Sequence, residues 1–311
     1  MHTVLITGGS GLIGKRLTTM LNEKGYKVII LTRSLSGKQN SEQVSYALWD
    51  VKKQTIDINA VQSADFIIHL AGAGVVEKRW TDVYKKEILE SRTQSSKLIV
   101  DSLSQHSNQV KAIVSASAIG WYGADQQAGK YFVETDKPAD DFLGQTCVLW
   151  EQSIAIAAAL NIRVCLLRTG IVLSNEGGAM AEFKKPIRFG IAAILGSGKQ
   201  MISWIHIDDL CRMYIHTIEK NTMKGSYNAV ANLPISNKEL TLKLAENTKG
   251  KFFIPMHVPS FFLKIILGGS SIEVLKSTSV SNAKIKDTGY TLLYPSIEAA
   301  LAELSGKTSL I

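Results

Sequence analysis

Cysteine is scarce in this chain of 311 residues: only Cys147, Cys165 and Cys211 occur. They lie far apart without a CxxC, which speaks against a disulfide framework or a zinc site and fits a reducing compartment. Long apolar runs are also missing. The densest one near the C-terminal end, 258–268, is too short and too interrupted to span a bilayer. Basic residues cluster no further than pairs such as Lys85-Lys86 and Lys184-Lys185, and no nucleic-acid motif occurs. The net charge of +8 therefore reads as a solvated surface with a bias toward anionic ligands. No His or Cys stands at metal-ligand spacing to His206, so no metal is expected. The first apolar run begins at residue 3 and leaves no room for a cleaved leader. The expected location is cytoplasmic, with neither nucleic acid nor membrane as a partner. At 45% hydrophobic and 20% charged, the composition is that of a globular protein.

What is present starts at once. Thr3 to Ile6 is strand-like and runs into a loop holding Gly8, Gly9, Gly11 and Gly14, followed by a helical segment. Strand, glycine turn and helix in that order form the context of a dinucleotide fingerprint. The glycines let the backbone approach a pyrophosphate, and the helix N-terminus offers free N–H groups and a positive dipole. The second strand-like run ends in Thr32-Arg33-Ser34, and no acid occurs between Lys24 and Asn40. An NAD site places a carboxylate here to accept from the ribose 2′-OH, whereas an arginine pairs with a 2′-phosphate. Arg33, with Ser34 and Lys38 nearby, therefore predicts NADP(H).

Along the first half, strands are predicted at 3–7, 26–32, 65–71, 110–116 and 162–168, and helices at 12–24, 83–105 and 141–159. This alternation predicts an α/β fold, a doubly wound parallel sheet of Rossmann type. The ligand crevice of such a sheet lies beyond the C-terminal strand ends. Segment 174–204 reads as a loop-bearing region, 203–219 as a strand returning into a helix, and 227–230 as a short strand. Segment 236–311 reads as mostly helical, with a turn at Gly268-Gly269. The expected division is a Rossmann domain over 1–173, rejoined around 201–232, and a smaller, mostly helical lobe from 174–200 and 233–311. Asp208 or Asp209 is the expected cap of the helix after His206.

The segment Thr7 to Gly14 resembles the cofactor loop of extended and atypical short-chain dehydrogenase/reductases, and His69-Leu70-Ala71-Gly72 resembles their turn after a central strand. Four further segments are similar to the branch called epimerase family proteins. They are Arg79-Trp80 with 86–92, Ser115 to Gly123, Arg168 to Leu173, and Gly196 to Gln200 leading into Trp204 to Leu210. The stretch from Pro255 to Pro295 resembles the small C-terminal domain of that branch.

The resemblance implies that Gly8, Gly9, Ser10, Gly11, Leu12 and Ile13 hold the pyrophosphate. It implies Thr32 and Arg33 at the adenosine ribose and its phosphate, Leu70 and Ala71 beside the adenosine, and Val172 near the nicotinamide. Glu87 and Arg92 are further cofactor positions; they differ by about 140° around one helix and need not share a face. A dimer through helices 83–105 and 141–159 is the assembly found among related enzymes.

Most enzymes of this superfamily use a Tyr-x-x-x-Lys pair on the helix after the fifth strand, where the lysine lowers the tyrosine pKa for proton transfer. Cys147-x-x-x-Glu151 stands there instead. A carboxylate beside a thiol disfavours the thiolate, so Cys147 reads as a small buried residue rather than a nucleophile. Ser117 matches the catalytic serine of the family, and Tyr122 follows in a Trp-Tyr-Gly loop. One reading has Ser117 orient a carbonyl or hydroxyl while Tyr122 supplies the proton. The other has Ser117 cap a turn and Tyr122 pack.

Lys184, Lys185, Arg188 and Lys199 read either as a solvated face or as recognition of an anionic small-molecule substrate. Ala192 and Ala193, where this branch is glycine-rich, are expected to stiffen a lid. The preferred function is an NADP(H)-dependent oxidoreductase acting on a carbonyl or secondary alcohol. An epimerase or dehydratase on a sugar-like substrate with a recycled cofactor, and a non-catalytic NADPH-binding regulator, stand beside it.

Overall fold

The computed structural model describes residues 1–306. Runs of β-branched and aliphatic residues form the strands of one large sheet. In chain order its first members are β1 (Thr3–Thr7), β2 (Lys27–Thr32), β3 (Val44–Asp50), β4 (Thr55–Ile56), β5 (Phe66–His69), β6 (Ala112–Ala118) and β7 (Arg163–Thr169). Past β8 (Ile171–Leu173), β9 (Ile191–Leu195), β10 (Met201–Ile202) and β11 (Trp204–His206), the chain returns to the sheet as β12 (Gly225–Ala229). The sheet order is β12-β7-β6-β5-β1-β2-β3-β4. All neighbours are parallel except the edge pair β3–β4. The doubly wound α/β prediction therefore holds.

Both faces are covered, as a parallel sheet requires. On one face lie α1 (Leu12–Glu23) and, much later, α6 (Ile207–Glu219); Leu17, Leu21, Leu210 and Tyr214 pack there on Val4, Ile6 and Val114. Arg16 on α1 pairs with Asp208 on α6 through two hydrogen bonds of 2.6 and 2.9 Å. On the other face α2 (Ile58–Gln62), α3 (Asp82–Gln105) and α4 (Phe142–Ala155) cover Leu5, Ile67 and Ile113.

A separate core joins α5 (Ala179–Arg188), α7 (Asn237–Lys249) and α11 (Ile297–Leu304), with Met180, Leu240, Leu244 and Leu301 buried together. The remaining elements are β13 (Ile235–Ser236), β14 (Ile254–Val258), α8 (Ser260–Leu267), α9 (Ser271–Leu275) and α10 (Ala283–Lys286).

Several expectations need correction. Strand β3 lies where the sequence reading placed no element; its alternation of exposed and buried positions, with only Ala47 and Trp49 buried, gives a weak apolar signal. The loop-bearing segment 174–204 also carries α5 and β9, which the sequence reading did not place. Ala192 and Ala193 lie within β9, where Ala192 is buried, rather than on a free lid. Residues 254–258, expected in a helical region, form β14, parallel to β9. The turn expected at Gly268-Gly269 is present, as a short 3-10 turn joining α8 to α9.

The cap of α6 is His206, whose ring nitrogen accepts from the Asp208 N–H at 3.1 Å. This frees Asp208 for Arg16. Asp209, fully buried, accepts from the backbone N–H groups of Leu293 (2.6 Å) and Tyr294 (2.8 Å) and so ties the C-terminal segment to α6.

Candidate active site

The crevice is built around the turn from β1 into α1. Gly8 has a φ of +69°, a conformation that favours glycine, and a Cβ there would meet the Leu70 carbonyl carbon at 3.0 Å. A Cβ on Gly9 would run into the side chain of Ile30 on β2, and one on Gly14 into the Gly8 carbonyl and Gly9. These positions cannot carry a side chain without displacing the loop. Gly11 caps α1 without any side chain, and no acid lies in the first turn, so the N–H groups and dipole of the helix are left uncompensated.

Thr7 stitches this turn to the next crevice loop. Its Oγ1 accepts from the N–H groups of Leu70 (3.0 Å) and Ala71 (3.1 Å), and its hydroxyl donates to Nδ1 of His69 at 2.7 Å. His69 Nε2 then carries the proton and donates toward Ser96 (3.2 Å) and Ser95 (3.3 Å), whose hydroxyls donate to carbonyls of α3. Burial, then the nearby charge of Arg92, pushes His69 down to about 3, so the ring is neutral.

The remaining cofactor positions fall at different distances from this centre. Gly178, at the start of α5, would carry a Cβ 3.1 Å from Leu12 and 3.9 Å from the Val172 carbonyl, so Val172 and the α5 turn adjoin the glycine loop. Thr32 ends β2, its hydroxyl donating to the Ser34 carbonyl at 3.0 Å, with Arg33 exposed beside it. Arg92 points inward from α3. It stacks on Trp150, 4.9 Å from the ring centroid, and lies so close to Gly72 that a Cβ there would touch the guanidinium at 3.0 Å.

Burial pulls the Arg92 pKa down, and the charges acting on it among the described residues include no carboxylate. A buried, unpaired guanidinium is costly, and an anionic ligand would offset that cost. Glu87 points outward instead and pairs with Lys78 at 3.5 Å. The structure thus gathers Gly8–Ile13, Leu70, Ala71 and Val172, and separates Glu87 from Arg92.

Ser117 and Tyr122 belong to one buried polar network. Ser117 Oγ donates to Glu151 at 2.6 Å. Glu151 also accepts two hydrogen bonds from Arg168, of 2.8 and 2.9 Å. Arg168 donates to the Tyr122 oxygen at 3.1 Å and stacks on Trp121, 3.6 Å from its ring centroid. The Tyr122 hydroxyl donates to Asn228 at 2.6 Å, and the side chain is only 2% exposed. Burial pushes its phenol up to about 12, against the pull of Arg168. The phenol is therefore protonated at neutral pH but faces Asn228 and Arg168 rather than open crevice. Cys147 is buried, its thiol raised to about 12 by burial first and by Glu151 second.

Sequence reasoning missed Thr7, Trp150 and the pairing of Glu151 with Arg168. The signal for the last was an arginine inside an otherwise apolar strand, which needs a buried partner. The four lid cations do not converge on one point: Lys184 reaches Asn175, and Lys185 pairs with Glu182.

The profile of the NAD dependent epimerase/dehydratase family matches residues 4–230, the segment that contains all of this geometry. The chain belongs to that family. The profile of a domain of unknown function, DUF1731, matches residues 258–304. An epimerase family protein of Staphylococcus haemolyticus is 34% identical over 311 residues, covering 98% of this chain and 99% of that protein. The crystal structure of human epimerase family protein SDR39U1 (isoform 2) with NADPH superposes with a TM-score of 0.85 at 27% identity, covering 98% of this chain and 100% of that one. The nucleoside-diphosphate sugar epimerase from Corynebacterium glutamicum gives 0.77 at 31% identity, covering 98% of this chain and 58% of that one. This family member is thus an extended short-chain dehydrogenase/reductase in architecture, with a nicotinamide dinucleotide as the group its crevice fits.

Proposed function

We propose that this family member is an NADP(H)-dependent oxidoreductase acting on a carbonyl or secondary alcohol. The observation that carries the cofactor choice is Arg33, exposed just past β2 with no acid between Lys24 and Asn40. The human relative solved with NADPH agrees with it. The loop Gly8 to Ile13 and the start of α1 would hold the pyrophosphate. Thr32 and Arg33 would hold the ribose phosphate, Leu70 and Ala71 the adenosine side, and Val172 the nicotinamide side, with Arg92 as a buried cation for an anionic group and Glu87 at the rim.

The nicotinamide supplies or accepts a hydride when bound. Around it, the usual Tyr-x-x-x-Lys is replaced by Cys147 and Glu151. Ser117 donates its hydroxyl hydrogen bond to Glu151, which leaves its oxygen free to accept one. This suits a substrate hydroxyl that Ser117 orients, while Arg168 keeps Glu151 in place. Tyr122 serves through its contacts with Arg168 and Asn228, which hold its phenol in place beneath the site. The substrate is a small molecule, and a homodimer through α3 and α4 is the assembly that we propose.

A second reading, a non-catalytic NADPH-binding regulator, is favoured by one observation: every polar group of the Glu151 network already has a protein partner. An epimerase or dehydratase with a recycled cofactor begins with the same oxidation of a secondary alcohol and stands as a further reading, supported by the family of the chain. The deciding experiment incubates the protein with NADPH deuterated on either C4 face and a small-molecule extract, followed by mass spectrometry. Deuterium in a metabolite supports the oxidoreductase and names its substrate class. No transfer, with NADPH binding confirmed in the same sample, favours the other readings.

A further inference from the structure

The C-terminal lobe exposes apolar side chains that a monomer in water would bury. Helix α8 reads Ser-Phe-Phe-Leu-Lys-Ile-Ile-Leu, yet only Leu263 in it is buried. Phe261, Phe262, Ile265 and Ile266 fall within about 140° of the helix circumference, and all four are exposed, Phe261 and Ile266 at 66% each. Strand β14, just before the helix, is paired only with β9 among the described residues and exposes Ile254 and Met256. Phe252 precedes it at 87% exposure. Four exposed aromatic and aliphatic side chains on one side of a short helix, next in sequence to an exposed strand, are the kind of apolar surface that marks an interaction site.

The charge of the segment says what covers it. Residues 247–272 contain Lys249, Lys251, Lys264 and His257 and no Asp or Glu. The three lysines are exposed and flank the apolar side chains in sequence. The flanking acids are Glu246, exposed three residues before Lys249, and Glu273, which is half-buried and engaged by Lys276 at 2.7 Å. A two-fold pairing of this segment with itself would bring together two copies in which lysine outnumbers carboxylate, Lys249, Lys251 and Lys264 against Glu246 over residues 246–272. Aromatic and aliphatic side chains flanked by lysines match instead an interface where hydrocarbon lies below anionic headgroups.

We propose that α8 and β14 form a docking face for the surface of an anionic lipid bilayer, with the phenylalanines and isoleucines inserted at the acyl boundary and the lysines at the headgroups. This is peripheral binding: among the described residues no helix is long and apolar enough to cross a membrane. The expectation of no membrane partner counted only spanning runs, and exposure of a short run is a property of the folded chain.

The test is flotation of the full chain with vesicles of phosphatidylcholine alone or mixed with phosphatidylglycerol, at low and high salt. Binding is expected only to the mixed vesicles and to weaken with salt. Lys251→Gln with Lys264→Gln should lower partitioning by roughly 30-fold, and Phe261→Ser with Phe262→Ser should abolish it, with unfolding midpoints unchanged. Failure of the unaltered chain to bind mixed vesicles overturns the proposal whatever the variants do. A dimer in light scattering that the phenylalanine variant dissolves also overturns it and assigns the face to a second copy.

Discussion

Glu151 and Arg168 face each other inside the protein through two hydrogen bonds of 2.8 and 2.9 Å, on a helix and a strand that meet behind the crevice. The carboxylate lies on α4 and the cation that balances it on β7. The pair keeps the site neutral, and it fixes the orientation of Ser117.

Removing one partner should therefore cost far more than replacing both. Glu151→Gln or Arg168→Met alone is expected to destabilise the fold by about 3–5 kcal/mol, because each leaves a buried group unpaired. The double variant should lose clearly less than the sum. Urea unfolding of the four proteins gives the coupling directly, and additive losses would show that the pair does not act as a unit.

Arg33→Ala is expected to weaken NADPH binding roughly ten- to a hundred-fold, the loss of a charge-assisted hydrogen bond worth about 1.5–3 kcal/mol. NADH binding should hardly change. Titration calorimetry with both cofactors checks the difference, and an equal loss for both would remove Arg33 from phosphate recognition.

His69 makes stability depend on pH. Its folded pKa, about 3, lies below the ordinary 6.5. The unfolded chain therefore binds a proton that the folded one refuses in the window between those values. Stability is complete above about pH 6.5 and falls as pH drops toward 3, by up to about 1.4 kcal/mol per pH unit for this one group. His69→Gln should lower stability at neutral pH and flatten the slope in that window. Unfolding midpoints measured from pH 7 to pH 4 for both proteins test this.

The cysteines should be inert in the native state. All three are buried, and burial raises each thiol, Cys147 to about 12. A thiol reagent at mildly alkaline pH is expected to modify none of them until denaturant is added, after which all three react. Rapid labelling of one native thiol, mapped to Cys147 by mass spectrometry, would mean that the Glu151 region opens.

Residues close in sequence made much of this protein legible in advance. The glycine loop, the parallel sheet and the returning strand near residue 227 follow from apolar periodicity and from the turn that only glycine fits. Arg33 is legible because its neighbours lack an acid. Other features depend on residues far apart in the chain. His206 rather than an aspartate caps α6, because Arg16 and the 293–294 backbone claim Asp208 and Asp209. Strand β14 forms because β9 offers an open edge, and Tyr122 turns inward because Arg168 and Asn228 wait there. The sequence by itself determined the strand, glycine turn and helix at its start, because that order and the glycine conformation are local properties. Tertiary structure alone decided the polar network behind the crevice and the exposure of α8, because burial and charge pairing are settled only once distant segments meet.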